Sequence, residues 1–206
     1  MTPTTRAARK PARPYHHGNL RRGLLDEALA TIGKEGIDGL TLREIGARLG
    51  VSRTALYRHF ADKRALLAAV ATEGFRMLRE QLVAAWEEGG RDQAAFEAMG
   101  AAYVRFAAAN PAHYRVMFGG FVDPNACDAE LAAEAAGAFQ ALVDALAALQ
   151  RDAVVRSDDT LLMARYVWAV VHGVAMLGID GQLREPGAAD GLMHYATERL
   201  RTGIGR

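Results

Sequence analysis

The sequence predicts an all-α fold, with a small three-helix unit in a helix-turn-helix layout at the N-terminal side and a larger helical body after it. Three observations carry this expectation. Almost no segment alternates with the period of a strand, whereas apolar residues recur at helical spacing along most of the chain. Cap residues and glycine stops punctuate those periodic segments. Charge is also polarised: residues 1–64 hold 13 Lys/Arg against 6 Asp/Glu, and residues 65–206 hold 12 against 18, under a net charge of only +1. That split suggests a small polyanion-binding part joined to a larger part with another task.

The first 18 residues contain three prolines (Pro3, Pro11, Pro14), four basic side chains, no acid and no apolar period, so they read as a flexible basic arm. A solvated tail and a DNA-contacting arm both fit. Regular structure is expected from Asn19, a good N-cap. Leu25, Leu29 and Ile32 form one helical face, which ends at Lys34-Glu35-Gly36. Thr41-Leu-Arg-Glu44 is a capping box, with the Thr41 hydroxyl capping and Glu44 reaching back. Leu42, Ile45 and Leu49 are the apolar stripe of this second helix, and Gly50 ends it. Only Val51 separates that glycine from Ser52, the next cap, so a third helix carrying Ala55, Leu56 and Phe60 inward begins at once. Asp62 caps a fourth helix that should run to Glu88-Gly89-Gly90. Helices are expected over 92–109, from an Asn110 N-cap with Pro111 at the first helical position through Phe118, and over about 128–152, 158–179 and 188–202. Gly119, Gly120 and Pro124 mark a loop.

Half the residues are hydrophobic and 24% are charged, the balance of a soluble globular chain of one or two domains. No uninterrupted apolar run approaches the roughly 18 residues of a membrane span, and no apolar segment follows the basic N-terminus as a secretory signal would require. The expectation is therefore a cytoplasmic protein without a membrane partner. The single cysteine, Cys127, excludes an internal disulfide and fits a reducing compartment. It reads as a packed small side chain or as a redox-sensitive thiol.

In a helix-turn-helix the second helix of the pair lies in the major groove. With Val51, Ala55, Leu56 and Phe60 turned inward, Arg53, Thr54 and Arg58 remain outward as candidate base readers. Arginine pairs bidentately with guanine, and the threonine methyl meets thymine. Tyr57, His59 and Lys63 are types that bond phosphate oxygens, and Lys63 lies in a first helical turn where free N–H groups also favour an anion. Thr41 and Arg43 open the second helix in the same way. A merely solvated basic face remains the alternative reading of the same residues.

The run Thr41-x3-Ile45-x4-Gly50-Val51-Ser52-x4-Leu56-Tyr57-x-His59-Phe60-x2-Lys63-x2-Leu66 resembles the DNA-binding domain of the TetR family of bacterial transcriptional regulators. The preceding Tyr15-His16-His17-Gly18-Asn19-Leu20-Arg21 looks like the lead-in to the first helix in one branch of it. The resemblance implies a DNA-binding domain at 19–66, a flexible arm at 1–18, and an effector-binding and dimerisation domain at 67–206. It also implies phosphate contacts at Thr41, Tyr57, His59 and Lys63 and base contacts at Arg53, Thr54 and Arg58. Two positions depart from the family pattern: Gly46, where alanine is usual, should loosen the second helix slightly, and Thr54 stands where a smaller residue is common. More faintly, Tyr114-Arg-Val-Met-Phe118 and Trp168-Ala-Val-Val-His172-Gly173 resemble a WHG-type ligand-binding domain. The resemblance implies a homodimer formed through the last two helices and a repressor released from a double-stranded DNA operator by a small lipophilic effector, with no cofactor.

The body concentrates its large side chains at Met99, Tyr103, Phe106, Tyr114, Met117, Phe118, Phe139, Trp168, His172 and Met176. Aromatics and methionines with a few polar tips suit an effector pocket. They equally suit an ordinary helical core. Trp168 and His172 share a helix face, and a buried imidazole needs a partner, which is either structural or a ligand. No His or carboxylate stands three or four residues from His172, so no metal site is expected. No Glu-x-x-His pair, G-x-S-x-G, or phosphate-binding glycine loop occurs, so no enzyme is expected. A DNA-binding protein of nucleoid type, without an effector, is the rival reading, and a solid core rather than a pocket would favour it.

Overall fold

The computed structural model describes residues 20–122 and 128–204. The basic arm, the Asn19 cap, the Tyr15–Asn19 part of the lead-in, Pro124 and Cys127 lie outside the described residues. Within them run nine helices: α1 Leu20–Glu35, α2 Leu42–Leu49, α3 Arg53–His59, α4 Lys63–Glu88, α5 Gln93–Ala109, α6 Pro111–Phe118, α7 Ala129–Arg151, α8 Thr160–Ile179 and α9 Ala188–Ile204.

Local chemistry sets these boundaries. The Ser52 and Asp62 side chains accept from the backbone N–H groups of Ala55 and Ala65, at 3.2 and 2.8 Å. Gly50 takes the left-handed conformation (φ 68°) that lets α3 start soon after α2 ends. Asp92, Asp128 and Asp159 cap α5, α7 and α8 in the same manner. The Thr41 box forms as expected, and one other cap assignment needs correction. Glu44 reaches back to the Thr41 hydroxyl (2.7 Å) while Thr41 accepts from the Glu44 N–H, so the box closes through the side chain. Asn110 gives α6 no side-chain cap, because its amide donates instead to the Phe106 carbonyl at the end of α5.

Helix α4, 26 residues long, is the spine; α1, α5, α6 and α7 all pack on it. One buried apolar cluster continues from Leu24 in α1 through Leu66, Val70 and Phe75 in α4 to Leu146 and Val174 in the body. Fully burying such side chains contributes roughly 1.5–3 kcal/mol each. Polar straps reinforce it. Arg48 of α2 reaches Thr31 and Glu35 of α1 at 3.0 and 2.8 Å, and Arg76 and Arg79 of α4 share Glu134 of α7.

Gly46 has a packing role where α2 meets α3. A Cβ there would stand 2.8 Å from Leu56 Cδ1, so the bare backbone is what lets α3 seat its buried leucine against α2.

The expectation about membrane-like segments also changes. Helices α7 and α8 are both long and apolar enough to cross a bilayer by length and composition. An uninterrupted apolar run is the wrong criterion here, because Arg165 and Tyr166 break α8 without lowering its mean hydropathy far. In the fold α7 lies along α4, and α8 lies between α5 and α9.

Candidate nucleic-acid interface and ligand cavity

Helix α3 divides cleanly. Leu56 and the C-cap Phe60 are buried against the first two helices, while Arg53, Thr54, Tyr57, Arg58 and His59 are exposed. Thr41 and Arg43 at the start of α2 are exposed as well. All seven residues are therefore open to solvent. Two interactions were not legible in the sequence. The Arg53 guanidinium lies 5.5 Å from the Tyr57 ring centroid, a cation–π contact that holds one candidate base reader over one candidate phosphate contact. Lys63 Nζ donates to the Ile37 carbonyl at 2.6 Å, so this half-buried lysine ties the start of α4 to the loop between α1 and α2. Its remaining two protons are still available to a phosphate.

The body holds a cavity of about 270 Å³, partly open to solvent and bounded by α4, α5, α6, α7, α8 and α9. Met99, Tyr103, Met117, Phe118, Phe139 and Trp168 line it, and Phe75 and Phe96 complete its aromatic wall. Phe106, Tyr114, His172 and Met176 do not line it. Along α5 the cavity runs from Gln93 to Tyr103 and stops there, so Phe106, one turn further, is core. On α8 it reaches Val167, Trp168 and Val171, leaving His172 and Met176 off the wall. Tyr114 is fully buried behind Met117 and Phe118. Sequence reasoning missed Leu78, Leu82, Glu97 and the α9 residues Met193, Thr197 and Arg201, whose place depends on which helices meet.

Behind the wall sits a polar cluster. Tyr114 Oη stands 2.8 Å from Tyr103 Oη and 2.7 Å from His172 Nδ1, and Tyr103 Oη is 3.2 Å from the same nitrogen. Trp168 Nε1 donates to Tyr103 Oη at 3.1 Å. His172 thus has protein partners and does not depend on a ligand for them. Burial pushes the Tyr103 hydroxyl up to about 12, against the hydrogen bonds from Tyr114 and Trp168, which lower it. Burial first, and then the neighbouring Tyr103, raises Tyr114 further. Desolvation lowers His172 below the ordinary imidazole value, so the ring is neutral at pH 7. All four side chains are uncharged, as a water-poor site requires.

A second chain of contacts leads from the cavity towards α1. Met117 and Phe118 of α6 face the cavity. On the same helix His113 Nε2 lies 3.1 Å from Glu73 Oε1, and Glu73 Oε2 accepts from Arg22 Nη1 of α1 at 2.5 Å. Gly74 makes this crossing possible, since a Cβ there would come within 2.5 Å of Met117 Sδ.

A helix-turn-helix with an exposed basic reading helix, carried on a helical body with an apolar cavity, defines a DNA-binding regulatory protein. A family model described as "Bacterial regulatory proteins, tetR family" matches residues 24–70, and one described as "Tetracyclin repressor-like, C-terminal domain" matches residues 96–200. This chain belongs to the TetR family of transcriptional regulators, which act by binding DNA and are not enzymes. A protein with unknown function from Rhodococcus sp. RHA1 superposes with a TM-score of 0.81 at 32% identity, covering 94% of this chain and 100% of that one. The TetR family transcriptional regulator PfmR from Thermus thermophilus shares the fold at a TM-score of 0.69 and 21% identity, over 89% of this chain and 99% of that chain. The tetracycline repressor protein class D of Escherichia coli is 45% identical over 53 residues, which is 26% of this chain. That match spans only 24% of the repressor's own length.

Proposed function

We propose that this protein is a repressor that binds operator DNA as a homodimer and is released by a small lipophilic effector held in the body cavity. The observation that carries the reading is the two-sided character of α3, with Leu56 buried and Arg53, Thr54, Tyr57, Arg58 and His59 exposed. In this reading Arg53, Thr54 and Arg58 read bases, and Thr41, Arg43, Tyr57, His59 and Lys63 hold phosphates. Thr41 must give up its bond to Glu44 to donate to a phosphate. The chain divides into a basic arm at 1–18, a DNA-binding domain at 19–66 and an effector-binding and dimerisation domain at 67–206. Trp168, His172 and Gly173 on α8 favour the WHG type for the latter. Acting on DNA, the protein works in the cytoplasm.

The dimer reading rests on α8 and α9, which leave Leu161, Leu162, Tyr166, Leu177 and Tyr195 exposed, Leu162 by 64%. Such a row of large apolar side chains suits the faces of two copies joined as a four-helix bundle. The cavity favours an effector-responsive protein over the nucleoid-type rival, for which a solid core suffices. Coupling runs through α6: an effector that displaces Met117 or Phe118 moves His113 on Glu73, and Glu73 holds Arg22 of α1. The population then shifts from the conformer whose two reading helices match the groove spacing, roughly 34–36 Å, to one whose helices do not.

Selection from random-sequence duplexes tests this. Enrichment of an inverted repeat is expected, and Arg58→Ala should relax one base pair per half-site at a cost of about 1–3 kcal/mol. Enrichment of no sequence at all would favour the nucleoid-type protein.

A further inference from the structure

We propose that the cavity selects lipophilic cations, amines or quaternary ammonium compounds with a short apolar body, and that Glu97 is the residue that selects them. This rests on the reading of the cavity as the effector site. Among the described residues that line it, Glu97 is the one carboxylate and Arg201 the one cation. The two differ in what already holds them. Arg201 is paired with Glu198 on its own helix, at 3.0 and 3.3 Å, and its side chain is half exposed. Glu97 is half-buried and accepts from the Gln93 amide at 3.3 Å. A negative charge at the edge of an apolar cavity, held by one long hydrogen bond, is short of a counter-charge.

The walls favour the same occupant. Phe96, Phe118, Phe139 and Trp168 line the cavity, and Phe139 and Trp168 pack at a tilt with ring centroids 5.8 Å apart. Aromatic faces attract a cation through their quadrupole, and rings with a carboxylate form the usual recognition of ammonium groups. A carboxylate ligand would meet Glu97 as a like charge and find Arg201 already neutralised. A neutral ligand would desolvate Glu97 without replacing its water. Only a cation satisfies both the acid and the rings.

The test uses three probes with one chain length: decyltrimethylammonium, decanol and decanoate, titrated into the full-length protein by calorimetry. Decyltrimethylammonium should bind about tenfold more tightly than decanol, the worth of one charge-assisted contact at a half-buried site, and decanoate more weakly than decanol. In Glu97→Gln the ammonium should lose its advantage and bind about as tightly as decanol, which no longer has a charge to desolvate. Decanoate binding most tightly, or an ammonium preference that survives Glu97→Gln, would overturn the proposal. Equal binding of decanol and decyltrimethylammonium to the unmodified protein overturns the cation selection while leaving the effector cavity standing. Binding of none of the three overturns both.

Discussion

The cluster of Tyr103, Tyr114, Trp168 and His172 makes a quantitative prediction, because His172 Nδ1 has two hydroxyls within reach. Tyr114→Phe removes the 2.7 Å contact but leaves Tyr103 Oη at 3.2 Å. Tyr103→Phe leaves the 2.7 Å contact but takes the Tyr103 oxygen away from both the Trp168 indole N–H and the Tyr114 hydroxyl. With one proton on each hydroxyl, Tyr114→Phe loses about one net hydrogen bond, roughly 1 kcal/mol, and Tyr103→Phe about two, roughly 2 kcal/mol. The double change strips Nδ1 of both protein partners. Leaving a buried polar atom unsatisfied costs about 1–3 kcal/mol, and His172, only half-buried, should fall near the middle of that range. The double variant should lose roughly 4–5 kcal/mol where the singles sum to about 3, a coupling of about 1–2 kcal/mol. Urea unfolding of all four proteins at pH 7.5 and one fixed concentration measures it, since the stability of the proposed dimer depends on concentration. Additivity within about 0.5 kcal/mol would mean that the four side chains do not act as a network.

The same imidazole sets a pH dependence. With its folded value lowered by desolvation, the unfolded chain takes up a proton below about pH 6.5 that the folded chain refuses, so stability should fall as pH decreases from there. His172→Gln should flatten that limb, and an unchanged slope would show that other groups cause it. At the alkaline end the Tyr103 hydroxyl, raised to about 12, should make stability decline above about pH 10, where the unfolded chain ionises first; Tyr103→Phe should reduce that decline. Lys63→Ala should lower both stability, by about 1 kcal/mol through the lost bond to Ile37, and the salt slope of operator binding, by about one. Loss of stability with the full salt slope retained would reduce Lys63 to a strut. Glu73→Gln should keep the cavity's affinity for a ligand while shrinking the ligand's effect on operator binding several-fold; an undiminished effect would place the coupling elsewhere.

The helices were legible because what makes them is local. Thr41, Gly50, Ser52 and Asp62 act within three or four residues of themselves, and apolar spacing fixes which face of α3 turns inward. That sufficed for the reading helix and its outward residues. Spacing also gathered Met99, Tyr103 and Phe106 on one face of α5, but could not tell that the cavity stops at Tyr103. Likewise it left His172 without a known partner, since Tyr103 and Tyr114 come from 69 and 58 residues away.

By itself, then, the sequence determined the helix boundaries, the turn between α2 and α3, the exposed basic face and the resemblance to a regulator family, all carried by contacts short along the chain. Tertiary structure alone decided that Lys63 holds Ile37, that Gly46 makes room for Leu56, that Glu73 links α1 to α6, and that Glu97 edges an apolar cavity. Each of those depends on how two helices cross, and crossing geometry is set by packed volumes that no periodicity along one helix records.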